Sequence, residues 1–165
     1  MHRAENVDYK ERLASLLDAM VDSPIQIIFP IHPRTRARIS EFGLDNYING
    51  HPFILVDPLG YKEMLGVVRS SCLVVTDSGG LQKEAYMLGI PCITLRTETE
   101  WMETVEAGWN KLFPAPRRGF LYNALTWANS IRLIDHPIIY GDGYAGKRIA
   151  EIFRCCCRSV NKIPN

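Results

Sequence analysis

Residues 73–88 read Leu73-Val74-Val75-Thr76-Asp77-Ser78-Gly79-Gly80-Leu81-Gln82-Lys83-Glu84-Ala85-Tyr86-Met87-Leu88. A short apolar strand breaks at Asp-Ser-Gly-Gly and passes straight into an amphipathic helix. Two successive glycines let the backbone come close to an anion. The first helical N–H groups have no intrahelical partner, and the helix dipole favours negative charge there. Ser78 adds a hydroxyl donor. Glu84, one helical turn past Gly80, reaches the hydroxyls of a ribose whose phosphates sit on the turn. Turn and carboxylate together suggest a nucleoside diphosphate. The alternative is purely structural: Gly79 and Gly80 permit a tight turn, and Asp77 or Ser78 caps the helix. No Lys-Ser or Lys-Thr pair closes the loop as in a Walker A motif, and the spacing is not Gly-x-Gly-x-x-Gly.

Outward from this unit the same alternation repeats. Apolar runs over residues 25–29, 53–56, 72–76, 92–95 and 110–113, rich in Ile, Val and Phe and bounded by Pro, Gly or Asp, read as buried parallel strands. Helical spacing marks residues 9–21, 33–42, 61–69, 81–88, 103–107, 119–134 and 144–157, with Gly43, Gly89 and Gly108 placed as C-terminal caps. The expected fold is α/β, a doubly wound parallel sheet of Rossmann-like type. Ligands of such sheets bind at the carboxyl ends of the strands, where the Ser78 turn lies. One domain is expected over 1–157, followed by a loosely specified tail over 158–165. The chain enters its first helix without an initial apolar strand. In the common order 3-2-1-4-5-6 that strand would be central, between the runs at 25–29 and 72–76.

Composition sets outer bounds. At 165 residues, 47% hydrophobic, 22% charged and with a formal charge of +1, the chain reads as a globular domain of ordinary make-up, and points to neither nucleic acid nor membrane. The N-terminus has no signal-peptide core, so a cytoplasmic setting is expected. Cys72 and Cys92 lie in apolar runs, as small hydrophobes in a reduced compartment. Cys155, Cys156 and Cys157 are contiguous, without the spacing of zinc ligands, and read as a helix end with one partly buried face. His51 and His136 precede prolines and read as turn residues, and Arg117-Arg118 as a solvated loop pair.

The blocks His2-Arg3-Ala4-Glu5-Asn6, Pro30-Ile31-His32-Pro33, Asp57-Pro58, Thr76-Asp77-Ser78-Gly79-Gly80-Leu81-Gln82-Lys83-Glu84-Ala85, Gly89-Ile90-Pro91, Leu95-Arg96-Thr97-Glu98-Thr99-Glu100-Trp101, Glu103-Thr104-Val105-Glu106-Ala107-Gly108 and Tyr140-Gly141-Asp142-Gly143 occur in this order. Together they closely resemble the C-terminal half of the non-hydrolysing UDP-N-acetylglucosamine 2-epimerases. The resemblance implies the second domain of a GT-B type fold. It places the diphosphate on Ser78, Gly79 and Gly80, the ribose on Glu84, and the uridine along Leu59 and Met64. His2 matches an active-site histidine close to the diphosphate. Where some members carry an Arg, this chain has Trp101, with Arg96 nearby as a substitute anionic contact. His32 matches a position of regulatory binding in bacterial relatives, although Pro33-Arg34 follows where they often have Asn-Pro.

The implied chemistry is inversion at carbon 2 of the sugar by elimination and re-addition of UDP, with no metal or other cofactor. The carboxylates that handle the carbon-bound proton belong, in the family, to the N-terminal domain. Implied partners are a UDP-sugar, a separately encoded N-terminal half and a second copy in a homodimer. A GT-B glycosyltransferase would share the turn and the ribose-binding Glu, but the His-Arg-x-Glu-Asn and Thr-Glu-Thr-Glu-Trp blocks favour the epimerase. The third reading is a non-catalytic fragment of a truncated gene.

Overall fold

The structure is a computed structural model that describes residues 1–50, 52–133 and 135–160, with side chains followed to residue 154. Its strands are β1 (Ile27–Pro30), β2 (Phe53–Val56), β3 (Val74–Thr76), β4 (Cys92–Thr94) and β5 (Asn110–Leu112). Its helices are α1 (Ala4–Val7), α2 (Lys10–Asp18), α3 (Pro33–Glu41), α4 (Tyr61–Arg69), α5 (Gly79–Met87), α6 (Met102–Glu106), α7 (Phe120–Ile131) and α8 (Ala145–Val160), with a 3-10 turn at Asp45–Tyr47. Local chemistry fixes the boundaries. Pro33 opens α3, where the His32 ring accepts the Arg34 N–H at 3.2 Å. The Glu63 carboxylate returns to the Gly60 N–H at 2.8 Å ahead of α4. Gly43, Gly89 and Gly108 have φ of 67°, 67° and 78°, the left-handed region expected just past α3, α5 and α6.

All strand pairings are parallel, so the α/β doubly wound expectation holds. The sheet is nevertheless divided. β1 pairs with β2, Ile27 opposite Phe53, and β3, β4 and β5 form a second ladder, Val74 opposite Cys92 opposite Asn110. A slot of about 410 Å³ separates β1 from β3, where the sequence leads one to expect a central strand.

Side chains join the two sheets. Leu13, Leu16 and Leu17 of α2 are fully buried in one cluster with Ile31, Ile39, Phe53, Ile93, Leu95 and Phe120, so residues flanking both sheets share one core. Each fully buried Leu contributes about 1.5–3 kcal/mol of transfer free energy. A smaller cluster joins Val68, Val74, Ala85, Ile90 and Cys92, and burial pushes the Cys92 thiol up to about 12, as befits a packed hydrophobe.

Some boundaries differ from those the sequence predicts. The helix expected over 9–21 spans Lys10–Asp18, and the unpredicted α1 precedes it. α8 continues to Val160, into the stretch expected to be tail. The His51 turn, the face of Cys155, Cys156 and Cys157, and residues 161–165 lie outside the described structure. Among the described residues no helix is long and apolar enough to cross a membrane.

Candidate functional site

The turn after β3 forms the centre of the site. Thr76 Oγ1 accepts the Ser78 N–H at 3.0 Å, and Ser78 enters α5 with φ −86° and ψ 124°. Its hydroxyl makes no capping bond, and the first helical bond recorded is from the Gln82 N–H to the Ser78 carbonyl at 3.2 Å. The N–H groups of Gly79, Gly80 and Leu81 are therefore left without the partner a cap would supply. Neither Gly79 nor Gly80 is among the glycines with positive φ, so no strained turn requires them. Space does. A Cβ on Gly80 would meet nothing nearer than Ser78 Oγ at 4.0 Å, whereas one on Gly79 would sit 3.1 Å from Glu100 Oε2 and 3.5 Å from Trp101 Nε1. Helical Cβ atoms tilt toward the N-terminus, so a side chain at either position would occupy the ground in front of the free N–H groups. Gly79 therefore has a packing reason of its own beside Glu100 and Trp101, while Gly80 faces open space.

Asp77 does not cap α5. Its fully buried carboxylate turns the other way, accepting the His2 N–H at 3.0 and 3.1 Å, the Arg3 N–H at 3.0 Å and the Asn6 amide at 3.1 Å, with the Met1 amine 3.8 Å away. Burial alone would raise its pKa. The ammonium and the donated hydrogen bonds outweigh burial and hold the carboxyl below its ordinary value. His2 is fixed beside the turn in this way. Burial lowers the pKa of its imidazole, against the attraction of Asp77. The His32 ring stands 5.3 Å from it.

Charge surrounds the turn. Arg96 is 9% exposed and committed on two sides, Nε to Glu5 at 3.2 Å and Nη1 to Glu100 at 2.9 and 3.0 Å. Its hydrogen bond to Glu100 raises the guanidinium pKa further. Arg3 Nη2 approaches Glu100 at 3.9 Å, and Lys83 Nζ lies 4.4 Å from the ring centres of both Trp101 and Tyr140. Glu84 is half-buried on α5, four residues past Gly80 and on the same face.

The structure thus gathers His2, Ser78, Gly79, Gly80, Glu84 and, through Glu100, Arg96. Leu59 is half-buried in the loop before α4, and Met64 packs on the Val68–Val74 cluster and lines the slot; neither is bonded to the turn among the described residues. Sequence reasoning gave no role to Lys83, Arg3 or Glu100. The signal available was position: Lys83 is next to Glu84, and Glu100 next to Trp101. His136 is corrected as well. It is no simple turn residue, because its ring packs 4.4 Å from Tyr86 and 4.5 Å from Trp109.

Comparison with known proteins decides the family. A family model described as UDP-N-acetylglucosamine 2-epimerase matches residues 1–154. The chain belongs to the UDP-N-acetylglucosamine 2-epimerase family. It is 39% identical over 155 residues to a UDP-N-acetylglucosamine 2-epimerase homolog of Methanococcus maripaludis, covering 93% of this chain and 43% of that protein. It is 42% identical over 154 residues to the UDP-2,3-diacetamido-2,3-dideoxy-D-glucuronate 2-epimerase of Pseudomonas aeruginosa, covering 92% of this chain and 42% of that protein. The crystal structure of the Methanocaldococcus jannaschii UDP-GlcNAc 2-epimerase in complex with UDP-GlcNAc and UDP superposes with a TM-score of 0.81 at 39% identity, over 93% of this chain and 43% of that one. The chain therefore spans about two-fifths of the length of these epimerase relatives.

Proposed function

We propose that this chain is the C-terminal, nucleotide-binding half of a UDP-N-acetylglucosamine 2-epimerase, the second domain of a GT-B type fold. The whole enzyme interconverts UDP-N-acetylglucosamine and UDP-N-acetylmannosamine by elimination and re-addition of UDP. The observation that carries the reading is the start of α5, which has no side-chain cap and where Gly80 faces open space. The diphosphate binds there, and the Glu84 carboxylate accepts the ribose hydroxyls. Leu59 and Met64 lie toward the base, and Arg96 adds positive charge behind Glu100.

The step served by this half is departure of UDP. Charge grows on the β-phosphate as the bond from its oxygen to the sugar's anomeric carbon breaks, and fixed N–H dipoles stabilise that charge without reorganisation. His2, held beside the turn through Asp77, donates to the departing phosphate. Abstraction of the carbon-2 proton falls to carboxylates of the other half, which is the first partner of this chain; a second copy is the other. The free thiols of Cys72 and Cys92 support a reduced, cytoplasmic setting.

Calorimetric titration of the chain with UDP tests the binding step, with heat at one site per chain expected. No heat with UDP, on a folded sample, refutes it. Combined with the other half in heavy water, the chain should support deuterium entry at carbon 2 of UDP-N-acetylglucosamine. Sugar transfer to an acceptor without that exchange would favour a glycosyltransferase. The 42% identity to the Pseudomonas protein makes its diacetamido uronate the second sugar to test in the same assay.

A further inference from the structure

Most of the positive charge beside the α5 turn is already spent on carboxylates. Arg96 bonds to both Glu5 and Glu100, and Arg3 lies 3.9 Å from Glu100. Lys83 has no ion pair with a carboxylate among the described residues; its ammonium lies instead 4.4 Å from the ring centres of both Trp101 and Tyr140. The two rings stand at 90° with their centres 5.9 Å apart, so they form a corner rather than a stack. The corner is tied down. The Trp101 N–H donates to Thr99 Oγ1 at 3.1 Å and its carbonyl accepts from Thr104 Oγ1 at 2.7 Å, while Thr99 Oγ1 donates to the fully buried Gln82 of α5 at 2.6 Å. Tyr140 stands edge-on to the buried Tyr86, 5.7 Å away. Lys83 is four residues past Gly79 and on its face of the helix, as Glu84 is four past Gly80. Trp101 Nε1 lies 3.5 Å from the place of a Cβ on Gly79. One indole thus borders the turn with its N–H edge and carries the ammonium on its face.

We infer that Lys83 is a specificity-determining residue of this site: a cation seated on Trp101 and Tyr140 that offsets Glu100 and favours a diphosphate over a monophosphate or a bare nucleoside. The inference rests on the proposed nucleotide-binding reading of the turn. A carboxylate partner would hold the lysine but cancel its field. Two ring faces hold it and leave the charge in place, and a charge at a fixed position adds to the N–H dipoles of the turn without reorganising when the ligand arrives.

Calorimetric titration of the full chain with UDP, UMP and uridine, at low and at high salt, is the experiment. Lys83→Met keeps the apolar stem against the rings and removes the charge. It should weaken UDP on the order of 10-fold, UMP less and uridine not at all, and flatten the salt dependence of UDP binding. Lys83→Arg should restore most of the loss. In a Trp101→Leu background the Lys83→Met change should cost roughly half as much or less on a logarithmic scale, because the lysine has already lost its seat. A Lys83→Met chain that melts lower yet keeps the wild-type preference for UDP over uridine has lost only packing, and overturns the inference. So does an unchanged salt dependence, or an equal loss in the two Trp101 backgrounds. A wild-type chain that binds no UDP overturns the nucleotide reading itself, and this inference with it.

Discussion

Replacing Gly80 by Ala separates the two reasons a glycine could stand at the start of α5. The position has ordinary helical φ, and its missing Cβ would meet nothing closer than 4.0 Å. Alanine is therefore free to enter, and helix propensity alone favours it by about 0.5–1 kcal/mol. For a chain of this size that corresponds to a rise in Tm of roughly 1–4 °C. The new methyl tilts toward the N-terminus, over the N–H groups of Gly79 and Leu81. An anion held off those groups loses at least one charge-assisted hydrogen bond, about 1.5–3 kcal/mol, which is a weakening of roughly 10- to 150-fold in Kd for UDP. Differential scanning fluorimetry and titration calorimetry on the same sample read both quantities. A variant that is more stable and binds UDP as before would refute the reasoning, since the space in front of the turn would then hold no ligand.

Asp77→Ala should cost about 3–5 kcal/mol, a fall in Tm of roughly 6–20 °C, because the half-buried His2 and Arg3 N–H groups and the buried Asn6 amide lose their acceptor; an unchanged melt would show that the carboxylate is idle. Glu84→Ala should leave stability within about 0.5 kcal/mol while abolishing the preference for UDP over 2′,3′-dideoxy-UDP, measured by competition. Stability should also depend on pH in a defined direction. The His2 pKa is lowered from 6.5 in the folded chain, so its contribution is full above pH 6.5 and declines as pH falls toward the folded value. Asp77 is lowered from 3.8, and its contribution is lost only as pH falls below that value. Urea titrations at pH 7.5 and 5.5 should show lower stability at 5.5, with a smaller difference in His2→Gln.

What could be read from the chain was whatever is encoded locally. β2 and α4 coincide with the predicted 53–56 and 61–69 because Pro52 and Asp57 bound the strand and Gly60 opens the helix. The Ser78 turn was legible for the same reason. α1 was not, since four residues with no apolar period give no local helix signal, and the segment just ahead of them is held by Asp77, more than 70 positions away, which accepts the His2 and Arg3 N–H groups. Arg96 shows the same limit. In the sequence it reads as a substitute anionic contact, yet Glu5, 91 positions away, and Glu100 claim it from two sides. His136 looked like a turn residue beside Pro137, and only packing on Tyr86 and Trp109 shows the use made of its ring. The division of the sheet was foreseeable in outline. That the core would bridge the gap through α2 was not, because it depends on which faces of distant helices meet.

The Glu100 carboxylate, within about 3 Å of the space in front of Gly79, gives the turn a property beyond affinity. Two like charges 4 Å apart near a protein surface repel by about 4 kcal/mol before screening, and Glu100 is half exposed and already paired with Arg96 at 2.9 Å, so a small anion entering the turn alone meets only a reduced part of that penalty. A ligand that also reaches Glu84 with neutral hydroxyls, and apolar side chains with its base, carries enough further contact to overcome it. On the proposed reading, the acid beside the cradle would tilt the turn away from small anions and toward ligands that also reach Glu84.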